Sequence, residues 1–397
     1  MADAAREAWI TGIGIVSCLG EGMDAHWQGF NSGHPQADAT TYAPYIIHRA
    51  PPLDLDKQIS KKGDQRQMEP WQRLGTYAAG LALDSAGIKG QAEILSRTDM
   101  IVAAGGGERD LAADSAILSG LPGAANPEAF LNERLMSDLR PTLFLAQLSN
   151  LLAGNISIVH GVTGSSRTFM GEEAAGVDAV RIAVSRIHAG QSEIALVGGS
   201  YNSERPDLLM MYEFGGYNLK DKFAPVWQRQ HNPGFAMATI GAFLVIESRA
   251  HAEARNARRL ARLSGVLSDR NRREPGDVTA ALERMWDELA GRLAPGSIAI
   301  LSGATGVSPA TAEERDFLAR HSDIAVRATG TYIGHGLDAQ FPMNVGLAAL
   351  MLGHGKLYAP ADDSGVERPM DGPLKQVVVT SVGHWRGEGL ALVEAAP

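Results

Sequence analysis

The amino-acid sequence predicts an α/β fold with substantially parallel sheets. Short apolar runs, which are typical of buried strands, alternate along the chain with longer segments whose apolar residues recur at helical spacing. Glycine is frequent, at 45 of 397 residues, which indicates many tight turns and close backbone contacts. The length suits two similar halves or one compound domain better than one simple domain.

The first predicted strand is the run WITGIGIV at residues 9–16, which ends in a turn at 17–21. We expect a helix to start at 26–30 and a longer one to cover 68–86, with Gly87 as its stop. Residues 99–104 predict a second strand, and residues 142–153 another apolar helix. The glycine triplet at 105–107 lacks a P-loop lysine and a complete GxGxxG pattern, so we expect no nucleotide there.

The same alternation continues to the C-terminus. The predicted elements are a helix ending at 180–188, strands at 194–197 and 243–246, a strand at 263–267, a helix at 278–293, a strand at 298–301, helices at 313–320 and 345–352, and a strand at 377–380. The segment at 249–256 is the only candidate boundary between two halves, and its composition indicates a helix rather than a flexible linker.

The charge pattern excludes several classes of partner. A formal net charge of −9 argues against a general nucleic-acid binder or a binder of anionic membranes, because both need a basic field. The exception is a run of seven arginines, which is either a solvated face or a docking patch for an acidic partner: Arg255, Arg258, Arg259, Arg262, Arg270, Arg272 and Arg273.

Cys18 is the only cysteine, which excludes an internal disulfide and a cysteine-rich metal site and fits a reducing compartment. We expect it to be a small buried residue. The sequence has no apolar signal core near its start and no uninterrupted apolar run near 20 residues. These features predict a cytoplasmic protein without a membrane span. We expect neither a metal ion nor a cofactor.

Three segments in the middle of the chain resemble the nucleophile region of β-ketoacyl-acyl-carrier-protein synthases. They read GVTG at 161–164, TFMGEEAAG at 168–176 and AGQSEIALVGG at 189–199. In that family a strand ends at a cysteine that opens a helix, and a small-residue triplet ending in glycine follows. Counting forward from Gly161 and back from Gly190 places Glu173 at the cysteine position without a gap.

The resemblance extends over almost the whole chain. ITGIGIVS at 10–17 is similar to the opening strand of the family, with Cys18 where proline is usual, and GFAM at 234–237 with FLVIE at 243–247 is similar to a later turn and strand. The resemblance implies a thiolase-like fold, with two related halves in a five-layer αβαβα arrangement. We expect the halves at 1–250 and 257–397, and dimerisation along the strand that leads to the nucleophile position.

Several departures from the family pattern fall on catalytic positions. Ala304, in ATGVSP at 304–309, stands where the first catalytic histidine is expected, whereas the second is kept as His335. Gly330 replaces a lysine five residues before that histidine. The loop that gates the acyl pocket, a Gly-Phe-Gly-Gly sequence in the family, reads VGHWRGE at 382–388 and contains His384 and Trp385.

These departures predict that the chain does not perform condensation. The family cysteine is activated at a helix N-terminus, and two histidine N–H groups stabilise the enolate oxygen. Glu173 is either a structural plug, favoured by the free N–H groups of a helix start, or a group with a chemical role. His335 is either a hydrogen-bonded core residue paired with Glu173 or a functional one, and His384 has the same default core role.

The resemblance implies a chain-length-factor-like subunit that pairs with an active ketosynthase and acts on chains carried by acyl carrier protein. The candidates for the wall of the tunnel are Phe169, Met170, His384 and Trp385. Ordinary core packing explains Phe169 and Met170 equally well. A second apolar stretch that could line a tunnel or an interface consists of Met210, Met211, Tyr212 and Phe214. The alternatives are a malonyl-carrier decarboxylase and a homodimeric scaffold that binds acyl carriers. Among chain-elongation systems, the sequence most resembles synthase-like proteins of very-long-chain fatty acid synthesis.

Overall fold

The computed structural model describes residues 6–139 and 143–396. The strands are β1 (Ala8–Ser17), β2 (Gly20–Glu21), β3 (Ile47–His48), β4 (Asp99–Ala103), β5 (Ser166–Phe169), β6 (Ile194–Tyr201), β7 (Met237–Ala238), β8 (Ile240–Ser248), β9 (Ala261–Asp269), β10 (Ile298–Ser302), β11 (Ala325–Ala328), β12 (Gln376–Val382) and β13 (Glu388–Ala395). The α-helices are α1 (Gly22–Asn31), α2 (Lys62–Gln67), α3 (Pro70–Ser85), α4 (Ala92–Leu95), α5 (Leu111–Gly120), α6 (Pro127–Asp138), α7 (Leu143–Ala146), α8 (Leu151–His160), α9 (Glu173–His188), α10 (Pro206–Phe214), α11 (Arg249–Ala254), α12 (Asp277–Leu289), α13 (Ala310–Arg320), α14 (Gly330–Ile333) and α15 (Gln340–His354).

Ten strands of the main sheet form two sets with the same topology. The first set has the order β5-β4-β6-β8-β1, and the second has the order β11-β10-β12-β13-β9. In each set the second strand is parallel to the first and the third, while the fourth is antiparallel to the third and the fifth. The two sets meet where β1 pairs with β9, at Trp9 opposite Arg262 and Ile10 opposite Ala261. This repetition confirms the expected two related halves.

The helices complete five layers. The helices α9 and α15 each lie in the chain between the first and the third strand of their respective sets, contact each other and lie between the two sets of strands. On the outside, α3 packs on β1 and β8 of the first set, and α12 packs on β9 and β13 of the second. The largest hydrophobic core surrounds the central helices between both sets of strands, and the next two lie between each set and its outer helices. The predicted αβαβα arrangement is therefore correct.

The predicted elements correspond to observed ones, with shifts at their ends and some omissions. The expected helix at 142–153 is two helices, α7 and α8, separated by a turn in which the Ser149 hydroxyl donates to the Gly105 carbonyl; residue 142 lies outside the described part of the chain. The strands β11 and β13 were not predicted, and β5 was expected only from the family resemblance, as the strand that leads to Glu173. The segment at 249–256 contains α11, as its composition indicated, whereas the division at 250 and 257 stays a prediction.

The arginine run does not form one patch. Strand β9 separates Arg258 and Arg259 from Arg270 and Arg272 by 9 residues, or about 30 Å of extended chain. The other three are held in ion pairs within the fold: Arg255 with Glu247, Arg262 with Glu394, and Arg273 with Glu388. The hypothesis of a single docking patch for an acidic partner is therefore wrong.

A search of the described helices for membrane-spanning segments finds none with the necessary length and apolar character.

Candidate functional site

Helix α9 begins at a buried carboxylate. The strand β5 ends at Phe169, Gly171 has a φ of +146°, and Glu172 is the N-terminal cap residue of the helix. Glu173 is the first helical residue and only 2% exposed. The peptide dipoles and unbonded N–H groups of a helix start favour an anion at this place. The geometry at Glu173 is thus what the sequence predicts for an acid opening a helix.

Two histidines converge on one oxygen of Glu173. The Oε1 atom accepts from His335 Nε2 at 2.7 Å, from His384 Nδ1 at 2.9 Å and from the His384 backbone N–H at 3.2 Å. His335 is held by its own backbone, which bonds Ala236 and Ala238, while His384 lies in the connection between β12 and β13. The other oxygen, Glu173 Oε2, is buried and has no partner among the described residues.

The electrostatics of this cluster favour a charged pair. Burial alone would raise the pKa of Glu173, but the charge of His384 and the hydrogen bonds from both histidines hold it well below its ordinary value. Burial alone would lower the pKa of His384, but the charge of Glu173 and its hydrogen bond raise it, helped by Glu172, whose carboxylate lies 3.7 Å away. We infer that Glu173 is an anion and His384 a cation near pH 6.

Aromatic rings enclose the charged pair. Tyr212, Tyr217 and Phe235 stand nearly perpendicular to the His384 ring, with centroid distances of 5.4, 4.7 and 5.5 Å. Phe235 also lies 5.3 Å from the His335 ring. These apolar neighbours exclude water from the ion pair, which strengthens it and makes the loss of either partner costly.

The charged pair predicts a pH dependence of stability. The contribution of His384 to the free energy of unfolding is complete below its ordinary pKa of 6.5 and is lost as pH rises through its raised pKa. The contribution of Glu173 is complete above its ordinary pKa of 4.5 and is lost as pH falls through its lowered pKa. The difference in unfolding free energy between wild type and Glu173→Gln should therefore be greatest between these two limits and should shrink at alkaline pH. Urea titrations across this range measure it. A difference that grows steadily above pH 6.5 would contradict the assignment.

A cavity of about 410 Å³ opens beside Glu172. Its walls include the glycine loop at 105–107, the apolar side chains of Met170 and Met211, and the buried Asp338. Burial raises the pKa of the Asp338 carboxyl well above its ordinary value, which favours its neutral form. Sequence reasoning did not single out Glu172 or Asp338; the adjacent acids Glu172 and Glu173 at a helix start were the available signal for the first.

Among the described residues, one group has the spacing of metal ligands. Glu172, Glu173 and His384 each offer an atom within 4.8 Å of the others. However, the ring of His384 already donates to Glu173, and the positive charge of this ring balances one of the two carboxylates. The charges are therefore partly compensated without an ion, and we assign no metal to this cluster.

The other two predicted catalytic positions lie beside each other in the outer core of the second half. Ala304 belongs to the hydrophobic cluster that contains Val226 and Trp227. A Cβ atom added at Gly330 would lie 3.0 Å from the Ala304 carbonyl oxygen and 3.2 Å from Val226 Cγ2. Apolar packing therefore takes the place where the family pattern has a histidine and a lysine.

The predicted tunnel residues differ in exposure. Phe169 is half-buried against the central core, while Met170 and Trp385 are 72% and 57% exposed. On helix α10, Met210, Met211 and Phe214 are exposed and Tyr212 is buried. Met170 and Met211 line the same cavity, so the structure brings these two candidates together.

The contacts of Cys18 are with residues outside the cluster of Glu173, His335 and His384. Its thiol is 3.5 Å from His48 Nδ1 and donates to the Tyr332 carbonyl at 3.3 Å. Burial raises the pKa of this thiol to about 12, and burial together with the charge of Arg229 lowers that of His48 to about 3. Both groups are therefore neutral, and Cys18 does not form the thiolate that a nucleophile requires.

Comparison with known proteins agrees with this geometry. Residues 5–252 match the family described as "Beta-ketoacyl synthase, N-terminal domain". A curated relative, "3-oxoacyl-[acyl-carrier-protein] synthase 2" of Vibrio harveyi, is 26% identical over 275 residues, which cover 66% of this chain and 62% of that protein. The match thus spans less than two thirds of the relative's length.

Solved structures share the fold over the whole chain. "The ishigamide ketosynthase/chain length factor" superposes with a TM-score of 0.80 at 18% identity and covers 99% of this chain and 100% of that one. A type II polyketide ketosynthase solved in complex with its acyl-carrier protein, AntDE:AntF, superposes with a TM-score of 0.76 at 17% identity, over 98% and 100% of the two chains. The predicted thiolase-like fold is confirmed. Because the family match covers more than half of the sequence, the chain belongs to the β-ketoacyl synthase family.

Proposed function

We propose that this family member is catalytically inactive by itself and acts as a chain-length-factor-like partner of an active ketosynthase in fatty acid or polyketide elongation, in the cytoplasm. The observation that carries the proposal is the hydrogen bonding of Glu173. Its Oε1 atom takes the N–H donors of both His335 and His384. Because these N–H groups already donate to Glu173, they are not free to stabilise an oxyanion of a substrate.

Glu173 is also unsuited to covalent catalysis. A carboxylate is a weak nucleophile toward a thioester, and the acyl anhydride that it would form hydrolyses readily. The anion is further stabilised by three hydrogen bonds and a neighbouring imidazolium. Because these contacts favour the carboxylate ground state, they lower its reactivity. The role that fits is a structural one, in which Glu173 holds His335 and His384 and closes the former pocket.

The position of Ala304 supports the same conclusion. In the family, two histidine N–H groups share the developing charge, and loss of one such donor typically reduces the rate by about 10²–10³. An alanine has no side-chain donor, and Ala304 is packed in a hydrophobic core. Restoring a nucleophile alone would therefore leave the site incomplete.

The surface around β5 supports the partner role. The strand β5 is the edge of the main sheet, and its first two residues are exposed. Exposed apolar side chains lie at Ile158 on α8, which packs on this strand, and at Met170 just after it. Helix α10 adds the exposed Met211 and Phe214, and its Met211 lines the same cavity as Met170. An uncovered edge strand with apolar neighbours is a site for pairing with another chain. We place the ketosynthase partner, or a second copy of this chain, against this edge.

This placement predicts that Met170→Asp breaks the assembly. The purified chain should be dimeric at micromolar concentration, and an interface of this class buries more than about 2,000 Å². A charge at Met170, which is 72% exposed in the single chain, should weaken the dimer at least about tenfold. Sedimentation equilibrium measures the effect.

The matched control is Ala319→Asp, which places the same charge on an exposed position of the outer helix α13 and should leave the dimer intact. A monomeric wild-type chain, or equal dissociation constants for the two variants, would contradict the placement. Co-expression with a ketosynthase encoded beside this chain then separates the partner role from a homodimeric scaffold, since only the partner role predicts that the heterodimer replaces the homodimer.

A malonyl-carrier decarboxylase is disfavoured by the charges of the site. Glu173 is held as an anion and Glu172 lies next to it in the sequence, so both would repel the malonyl carboxylate. Burial raises the pKa of Glu172, which reduces its share of this repulsion but leaves that of Glu173.

A further inference from the structure

A second cavity, of about 210 Å³, lies between the segments 226–233 and 306–316 and is lined by a buried arginine. Arg229 is 2% exposed, and among the described residues no carboxylate lies within ion-pair distance of it. The guanidinium donates from Nε to the Ala224 carbonyl and from Nη1 to the carbonyls of Gly234 and Thr305. Carbonyl groups satisfy these two nitrogens but do not cancel the positive charge.

Two polar atoms in this wall have no hydrogen-bond partner in the described part of the structure. They are Arg229 Nη2 and the indole Nε1 of Trp227, and both are buried donors. Leaving a buried donor unpaired is costly, and the cost is greater for a charged group. Burial lowers the pKa of Arg229 to about 9, in keeping with the absence of an ion-pair partner among the described residues. The wall therefore offers a cation and donors without acceptors.

The rest of the lining suits an anion. Arg315 lies on the same cavity, is half-buried and forms no ion pair with any described residue, while Asp316 is the only acidic residue in the lining. Ser308 and Thr311 add hydroxyl groups at the start of helix α13, whose first turn carries a partial positive charge. Val307 and Pro233 supply apolar wall beside these groups.

We propose that this cavity binds a phosphate group, either as the free ion or as the end of a small phosphoester. Phosphate supplies several acceptor oxygens for the guanidinium groups of Arg229 and Arg315, which line the same cavity, and arginine binds such oxygens in a planar fork. A volume of about 210 Å³ leaves room for a few atoms beyond the phosphate itself. The site shares no lining residue with the cavity beside Glu172, and it does not depend on the partner role proposed for the chain.

Isothermal titration with inorganic phosphate and with phenyl phosphate, at constant ionic strength set by sodium chloride, tests the proposal. Wild type should bind phosphate saturably, and Arg315→Gln should weaken the affinity at least about tenfold, because a charge-assisted hydrogen bond is lost. Arg229→Gln should abolish binding. Tighter binding of phenyl phosphate than of phosphate identifies a phosphoester as the ligand, and equal or weaker binding identifies the free ion.

The control is Arg320→Gln on the same helix, an exposed arginine that pairs with Glu283 at 3.4 Å and should not affect binding. If Arg229→Gln does not fold, Arg315→Gln decides the question, because its side chain is at the more open part of the wall. Absence of saturable binding to wild type would overturn the proposal. So would equal affinities of wild type and Arg315→Gln, since a general stabilisation by phosphate salts does not depend on that side chain.

Discussion

Replacing Glu173 with alanine is expected to lower the free energy of unfolding by about 3–5 kcal/mol, because removing one partner of a buried ion pair leaves the other charge uncompensated. His384 is the charge in question: its side chain is 2% exposed and depends on Glu173 for its Nδ1 hydrogen bond. His335 loses its acceptor in the same variant. Urea denaturation near pH 6, where the pair is charged, measures the loss.

Glu172→Ala is the matched control, because this neighbouring carboxylate is 34% exposed and lies 3.7 Å from His384 rather than in direct contact. We expect it to cost less than about 1 kcal/mol. Glu173→Ala combined with His384→Ala should be less destabilising than the sum of the two single changes, which is the signature of a direct interaction. Additive losses, or a loss below about 1 kcal/mol for Glu173→Ala, would contradict the structural role of the pair.

Glu173→Cys is expected to acquire a reactive thiol without acquiring condensation activity. A cysteine at this position opens helix α9, so its pKa should fall and labelling by iodoacetamide should rise. Decarboxylation should still fail, because Ala304 gives no donor to the enolate oxygen, and such a loss corresponds to about 10²–10³ in rate. A radiolabelled malonyl-carrier assay measures elongation.

The comparison variant is Glu173→Cys combined with Ala304→His, which restores the missing histidine. The lysine position is harder to restore, since a side chain at Gly330 meets the Ala304 carbonyl at 3.0 Å. Contributions within one catalytic site are not additive, so the double variant should gain only part of the activity. Elongation by Glu173→Cys alone at about 1 s⁻¹ or faster would show that the site was otherwise intact.

Much of the fold could be predicted from the sequence because its buried strands are continuous apolar runs. The strands β6, β8 and β12 were recognised in this way, although each extends beyond its predicted ends. By contrast, β5 has the sequence Ser-Arg-Thr-Phe and lies at a sheet edge, so neither hydrophobicity nor alternation identifies it. Strand β11 is only 4 residues long and contains a buried arginine, so no continuous apolar run identifies it either.

The candidate site could be predicted only in part. The resemblance placed Glu173 and His335 at matching positions, and a pairing between them was considered. The contact of Glu173 with His384 joins residues 211 apart in the chain, and no local period reports such a contact. The prediction of one arginine patch was wrong for the opposite reason, because arginines that are close in the sequence are separated in space by the length of β9.

Intact-protein mass spectrometry after incubation with an acyl-carrier thioester tests the central claim most directly, namely that this chain forms no covalent acyl intermediate. An active ketosynthase treated in parallel should gain one acyl group per site, on its cysteine. The wild-type chain should gain none, because Glu173 is a buried, hydrogen-bonded carboxylate and Cys18 is a neutral, partly buried thiol. A stoichiometric acyl adduct that peptide mapping assigns to Glu173 would contradict the account.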